Sequence, residues 1–168
     1  MITLRPILAS DADPLYPLLV GTDIPDTLLW DGPDSLAEYR EAIAMRASQA
    51  ARGEIHMFAI VTADAPIGTL DVRPENDFRG DMGLWIGRGH HGRGCGTEAV
   101  RLATRYAFER VGLHKLEATV FVGNLASRRV FEKNGFQLEG TIRRAVRKRG
   151  RFVDEWLFGI LREESAAQ

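Results

Sequence analysis

The chain has 168 residues, 45% of them hydrophobic and 27% charged, and a formal net charge of −1. That length suits a single domain, residues 1–168, with a real core, and the near-zero charge gives no global pull toward nucleic acid or an anionic membrane. One cysteine, Cys95, excludes an internal disulfide framework and fits a reducing cytoplasm, while the N-terminus has no apolar leader core and no run is long enough to cross a bilayer.

In chain order, Ile2 to Arg5 alternates as a short strand that Pro6 stops. Ser10 is placed to cap a helix running to about Leu19, with Ala12, Leu15, Leu18 and Leu19 as its apolar face. Gly21 to Gly32 reads as irregular and carries Trp30. A second helix runs from about Ser35 to Ala51, with Leu36, Tyr39, Ile43 and Ala47 on one stripe. Ile55 to Thr62 and Ile67 to Val72 form a hairpin around the turn Ala63-Asp64-Ala65-Pro66, and Asp81 to Ile86 is a fourth strand. A glycine-rich loop follows, then an amphipathic helix starting near Gly96 and ending near Val111-Gly112. Lys115 to Val122 alternates again, with Leu116, Ala118, Val120 and Val122 on one face. Asn124 caps a short helix that Asn134-Gly135 ends. Phe136 to Arg147 and Phe152 to Leu161 make a last long hairpin. The order β-α-α-β-β-β-α-β-α-β-β predicts an α/β (α+β) fold, a mixed sheet with helices on its faces.

The loop His91-Gly92-Arg93-Gly94-Cys95-Gly96-Thr97-Glu98 carries the chemistry. Three glycines in five residues allow tight turning and expose successive N–H groups, and the helix behind adds its free amides and positive dipole end. This is a seat for a phosphate or pyrophosphate. Gly87-x-Gly89-x-x-Gly92 also matches the dinucleotide fingerprint. That motif needs a helix opening inside it and an acid at the end of the next strand. Here the helix starts later and the next strand ends in Val122-Gly123-Asn124, without an acid. A kinase-type loop fails because Gly94 is followed by Cys95-Gly96 rather than Lys and Ser or Thr.

The stretch from Ile86 through Gly96 resembles the acetyl-CoA signature of the GNAT N-acetyltransferases. Asn124-x-x-Ser127, Phe131-Glu132-Lys133-Asn134-Gly135-Phe136, Leu138-Glu139-Gly140, Arg143 and the ending Gly150-Arg-Phe-Val-Asp154 are similar to the RimJ/RimL-type branch of ribosomal-protein N-acetyltransferases, as are Thr97-Glu98-Ala99 and Tyr106-Ala107-Phe108-Glu109. The resemblance covers nearly the whole chain and is sharpest from about Ile67 onward. It implies the acyl-CoA N-acyltransferase fold, a mostly antiparallel sheet of seven strands with about four helices. It implies acetyl-CoA as co-substrate, an amine acceptor that is a protein N-terminus or a small-molecule amine such as a polyamine or antibiotic, and no metal. It also implies that two central strands splay after Ile86 and near Asn124. The pantetheine arm would bond to the backbone of Leu84, Trp85 and Ile86 like an added strand, and the loop amides from Gly92 to Thr97, including those of Arg93, Gly94, Cys95 and Gly96, would hold the pyrophosphate. His91 stands where the signature has Gln or Arg, and Arg88 where many relatives have proline. The oxyanion is expected on a backbone N–H of the fourth strand near Trp85.

Each candidate also has a plain reading. Asn124 would bind pantetheine and is equally a helix cap. Ser127 would protonate the leaving thiolate or bond the cofactor, and is equally a first-turn serine satisfying amides. Many relatives carry a tyrosine acid where this chain has Phe131, which holds no proton. Asp81 would take the proton from the attacking ammonium, directly or through water, with Asp71 and Glu117 as alternatives; it is equally an exposed strand-end acid. Cys95 is a small residue filling the loop or a thiol activated by the helix end. His90 and His91 have no partners at metal spacing. The basic cluster Arg143, Arg144, Arg147, Lys148, Arg149 and Arg151 lacks interleaved aromatics, which points away from nucleic acid and toward a solvated hairpin pairing with Asp154 or Glu155. The same long hairpin offers an edge for a homodimer. The alternative to an enzyme is a non-catalytic acyl-CoA-binding or ribosome-associated module that keeps the loop and Asn124 without a working base.

Overall fold

The computed structural model describes residues 1–63 and 65–165. Seven strands form one sheet in the order β1-β2-β3-β4-β5-β7-β6. They are β1 (Ile2–Pro6), β2 (His56–Thr62), β3 (Ala65–Pro74), β4 (Arg79–Ile86), β5 (Lys115–Phe121), β6 (Gln137–Lys148) and β7 (Arg151–Leu161). Every neighbouring pair is antiparallel except β4 with β5. The helices are α1 (Ala12–Leu19), α2 (Leu36–Ala51), α3 (Cys95–Tyr106), α4 (Leu125–Glu132) and the short α5 (Arg162–Ser165).

Alternation along the strands divides the core between the two sheet faces. Leu70, Val72, Met82, Leu116, Ala118, Val120, Phe158 and Ile160 pack with Ala99, Val100 and Ala103 of α3 and Phe131 of α4. On the other face Ala59 and Val61 pack with Leu15 and Leu19 of α1 and Tyr39 and Ile43 of α2. So α3 and α4 cover one face and α1 and α2 the other. Both expected caps of the longer connections are present: Ser35 accepts from the Glu38 N–H and Asn124 from the Ser127 N–H, each at 3.1 Å.

The first helix differs from its expected start. Ala9–Asp11 is a 3₁₀ turn and Ser10 caps nothing. The start of α1 has no side-chain cap; Asp11 instead closes the 3₁₀ turn, accepting from the Leu8 N–H at 2.8 Å and from both terminal nitrogens of Arg5, at 2.6 and 2.8 Å. A buried carboxylate with a guanidinium partner outcompetes a hydroxyl. Residues 24–27 form a 3₁₀ turn inside the stretch read as irregular. Strand β5 ends at Phe121, so Val122 leaves the apolar face and is exposed. Of the turn read at 63–66, Asp64 lies outside the described residues.

Candidate active site

The site begins where two strands part. β4 and β5 run parallel for only three pairs, Arg79 with Lys115, Gly80 with Leu116 and Asp81 with Glu117. Beyond Asp81 they separate, five residues earlier than the splay expected after Ile86. This leaves the backbone of Met82 to Ile86 without a strand partner on that side. The Gly87 N–H donates to the Ile67 carbonyl at 2.8 Å, which fixes the register with β3. Backbone polar groups alternate in direction along a strand. Hence Gly83 and Trp85 spend theirs on β3, and Met82, Leu84 and Ile86 aim theirs into the gap. The Trp85 N–H itself faces Thr69, so of the backbone N–H groups near Trp85 those of Leu84 and Ile86 are the ones turned to the gap.

The end of β4 is held by a side chain. Nε2 of His91 lies 2.7 Å from the Ile86 carbonyl oxygen, and a carbonyl only accepts, so this nitrogen carries the proton. His91 thus locks the strand to the loop with its ring, and its backbone N–H is spent on the Arg88 carbonyl at 3.1 Å, so it is not among the free loop amides. After it, Gly92 (φ 72°) and Gly94 (φ 77°) are left-handed, with nothing within 4 Å of where a Cβ would sit. Glycine adopts this conformation without the crowding a Cβ brings. Among the described residues no group accepts from the amides of Gly92, Arg93, Gly94, Cys95, Gly96 or Thr97; the first bond of α3 runs from the Glu98 N–H to the Gly94 carbonyl at 3.0 Å. Six amides without a protein acceptor at a helix start are an array of the kind that can bind an anion. Cys95 opens α3, half-buried against the core, as a small filler would be.

Across the gap stands the start of α4. Gly96 lets the first turn of α3 approach it closely: a Cβ there would lie 3.3 Å from Val130. Asn134 ties the two helices by donating to the carbonyls of Val130 (2.8 Å) and Thr97 (3.1 Å). Asn124 uses its side-chain oxygen on the Ser127 N–H and keeps its amide group to donate. Ser127 is half-buried, and its hydroxyl has no protein partner among the described residues. Phe131 is 2% exposed, edge-on to Phe136 and stacked with Phe158, so that position faces the core and not the gap.

The α1–α2 face carries the charges. Arg73 bridges two carboxylates, bonding Asp81 through Nε (2.9 Å) and a terminal nitrogen (2.5 Å), and Asp71 through the other (2.5 Å). The cluster lies over Gly83, where a Cβ would come within 3.3 Å of Asp71. Burial pushes the Asp71 carboxyl above its usual range, and the Arg73 charge opposes that rise. Glu117 is buried between Lys115 (2.8 Å) and Arg79 (3.8 Å). An open groove of about 570 Å³ adjoins the splay, with Asp26 and Thr27 on one side and Phe121, Asn124 and Val153 on the other.

The basic hairpin turns out to be a strap. Lys148 is buried, donates to the Trp30 carbonyl at 2.9 Å and pairs with Asp31 at 2.5 Å, and Arg149 pairs with Asp26 at 2.6 Å. Arg88 of the glycine loop pairs with Asp23. Trp30 in turn stacks on the buried Tyr39, with ring centroids 6.1 Å apart. The α1–α2 connection is therefore pinned over the groove by residues far away in sequence. Of the expected hairpin partners, Asp154 accepts the Arg144 backbone N–H at 2.7 Å, and Glu155 pairs with no cation among the described residues. No group of His, Cys, Asp and Glu that could hold a metal occurs among the described residues. No helix among them is long and apolar enough to cross a membrane.

Comparison with known proteins converges on one family. Residues 1–137 match the family described as Acetyltransferase (GNAT) domain. The chain is 37% identical to the probable N-acetyltransferase YjcK of Bacillus subtilis over 75% of its length and 68% of that protein. It is 28% identical to the uncharacterized N-acetyltransferase p20 of Bacillus licheniformis over 98% of its length and 95% of that protein. Among solved structures, Mycobacterium smegmatis RimJ in complex with CoA-disulfide superposes with a TM-score of 0.87 at 25% identity, covering 97% of this chain and 83% of that one.

Proposed function

The chain belongs to the GNAT acetyltransferase family, and from that premise we propose that residues 1–168 act as one transferase domain moving an acetyl group from acetyl-CoA to a protein N-terminus. One observation carries the reading: the outward backbone groups of Met82, Leu84 and Ile86 face a gap that opens beside six unsatisfied loop amides. An extended arm carrying amides is recognised by such a strand edge, and a pyrophosphate by such a loop. These residues fit acetyl-CoA, which supplies an activated thioester.

The chain supplies the rest. The N–H of Leu84 or Ile86 stabilises the oxyanion, fixed in direction by the β3 register and by His91. Asn124 donates its side-chain amide to the arm while its oxygen holds the start of α4. Ser127, with an uncommitted hydroxyl beside the gap, gives the proton to the departing thiolate. Asp81 accepts the amine's proton through water, since Arg73 occupies its carboxylate directly. No covalent enzyme intermediate is required, because the open groove brings amine and thioester together.

The RimJ/RimL-type resemblance and the open side of the groove, which has room for a chain end, support a protein N-terminus as acceptor. The outer edge of β6, exposed along nearly all its length, supports a homodimer. A mass-detected acetyl-transfer panel tests the assignment: peptides starting with Ser, Ala or Thr, ribosomal proteins, polyamines, aminoglycosides and free amino acids. Acetylated N-termini are expected. Product on a polyamine or aminoglycoside alone would overturn the acceptor class, and unconsumed acetyl-CoA with every amine would overturn the assignment. Ser127→Ala and Asp81→Asn are each expected to slow turnover at least tenfold.

A further inference from the structure

Glu155 is a carboxylate without an assigned task. It lies on β7, directly opposite Phe121 of β5, and is 7% exposed. Its neighbours on the inner face, Trp156, Phe158 and Ile160, belong to the core under α3 and α4. Alternation therefore turns Glu155 to the other face, with Thr119 and Phe121 of β5 and Ile142 of β6 around it. Burial raises the Glu155 carboxyl above its usual range, and the nearby Thr119 opposes that rise. No Lys, Arg or His among the described residues forms an ion pair with it. Buried carboxylates are ordinarily paired, and an unpaired one is costly.

Its height in the sheet matters as much. Asp81 is level with Glu117, so four residues further along both strands Trp85 is level with Phe121, and Glu155 is the partner of Phe121. Glu155 thus stands level with the part of β4 where the Leu84 N–H enters the gap, on the far side of the intervening β5. Asp81 is three residues further down, about 10 Å at ordinary strand rise, and already carries Arg73. Val153, two residues before Glu155 on the same strand, lines the groove together with Phe121.

We propose that Glu155 is the residue that binds the ammonium of the incoming acceptor, selecting cationic amines and orienting the nitrogen toward the gap. The missing counter-ion of a buried carboxylate is a cation, and the acceptor of the reaction is one. This rests on the transferase reading and specifies its acceptor site. Glu155 holds the ammonium as an ion pair, and the proton then leaves by water to Asp81.

The test uses the full chain, saturated with CoA, and Glu155→Gln, which keeps shape and loses charge. Binding of a pentapeptide with a free N-terminal serine, of its N-acetylated twin and of spermidine is followed by calorimetry, with acetyl-CoA affinity and melting temperature measured alongside. The wild type is expected to bind the free amines at least tenfold tighter than the blocked peptide. The variant is expected to lose that preference, raise KM for the amine more than it lowers kcat, keep acetyl-CoA affinity, and melt no lower than the wild type. A preference retained in the variant, or one absent from the wild type for both amines, overturns the inference. So does a lower melting temperature accompanied by weaker acetyl-CoA binding, which marks a structural carboxylate. A wild type that does not bind acetyl-CoA would overturn the transferase reading itself.

Discussion

Replacing Arg73 by methionine removes the cation that bridges Asp71 and Asp81 while keeping an unbranched stem over Gly83. A unit charge pair at about 4 Å is worth ~4 kcal/mol at an effective dielectric of about 20. Arg73 makes two such contacts, but its side chain is 51% exposed and its partners 27% and 32%. Solvent screening and the desolvation already met by the pair reduce the net loss to about 1–3 kcal/mol. The sign with pH follows from Asp71. Its folded carboxyl already titrates above the ordinary range because of burial, and Arg73 restrains that rise. Without Arg73 it rises further, so the ionised form becomes more costly in the folded state. Below the ordinary carboxylate pKa both folded and unfolded chains are protonated and the penalty vanishes; it grows as pH climbs through the folded value. Urea denaturation of Arg73→Met and wild type at pH 8 and near pH 3.5 is the assay. The deficit is expected at pH 8 and is expected to be mostly gone at the acid end, with Asp71→Asn in the same background restoring much of it. An equal deficit at both pH values would show that Arg73 acts by packing, and the charge argument would fail.

Two other outcomes follow from the same geometry. Gly94→Ala puts a side chain at φ 77° in open space, so it should cost about 1–2 kcal/mol of backbone strain and weaken acetyl-CoA binding in calorimetry, whereas Gly89→Ala, with open space and no left-handed φ, should leave both unchanged. Phe131→Tyr places a hydroxyl into the wholly buried contact with Phe136 and Phe158, so a denaturant melt should show a loss of about 1–3 kcal/mol, with no gain in turnover; a faster enzyme would mean that this position does reach the gap.

Much of this was legible in the sequence because it is local. Strand alternation, helical stripes, the Ser35 and Asn124 caps and the glycine loop depend on residues a few positions apart, and each appears where the pattern puts it. The losses are all long-range. Ser10 looks like a cap until Arg5 and Leu8 converge on Asp11. The basic hairpin looks solvated until Lys148 reaches Trp30, 118 residues away. Glu155 reads as an ordinary hairpin acid, because only the sheet order reveals that its face is covered and its expected partners lie elsewhere. The splay expected after Ile86 lies five residues beyond the observed one for the same reason: a ladder's end is set by where two strands diverge, and neither strand's sequence changes there.

The alternation of β4 also explains how one short strand can serve two substrates without mixing them. Its backbone and its side chains each alternate, and the two alternations are locked together. Residues Met82, Leu84 and Ile86 turn their side chains toward α3 and their amide groups into the gap. Residues Asp81, Gly83 and Trp85 spend their amides on β3 and turn toward α1 and α2, where the carboxylates stand. Under the proposed function the even positions serve the thioester and the odd ones the amine. A one-residue slip of β4 against β3 would exchange the two sets. It would bury Asp81 beneath α3 and aim the Trp85 amide into the gap. The register is therefore guarded at both ends of the strand: by Gly80, where a Cβ would meet the Arg73 carbonyl at 2.8 Å, and by the His91 ring on the Ile86 carbonyl. A stiff strand edge with a fixed direction is what oxyanion stabilisation needs, since a donor that must reorient during the reaction contributes little.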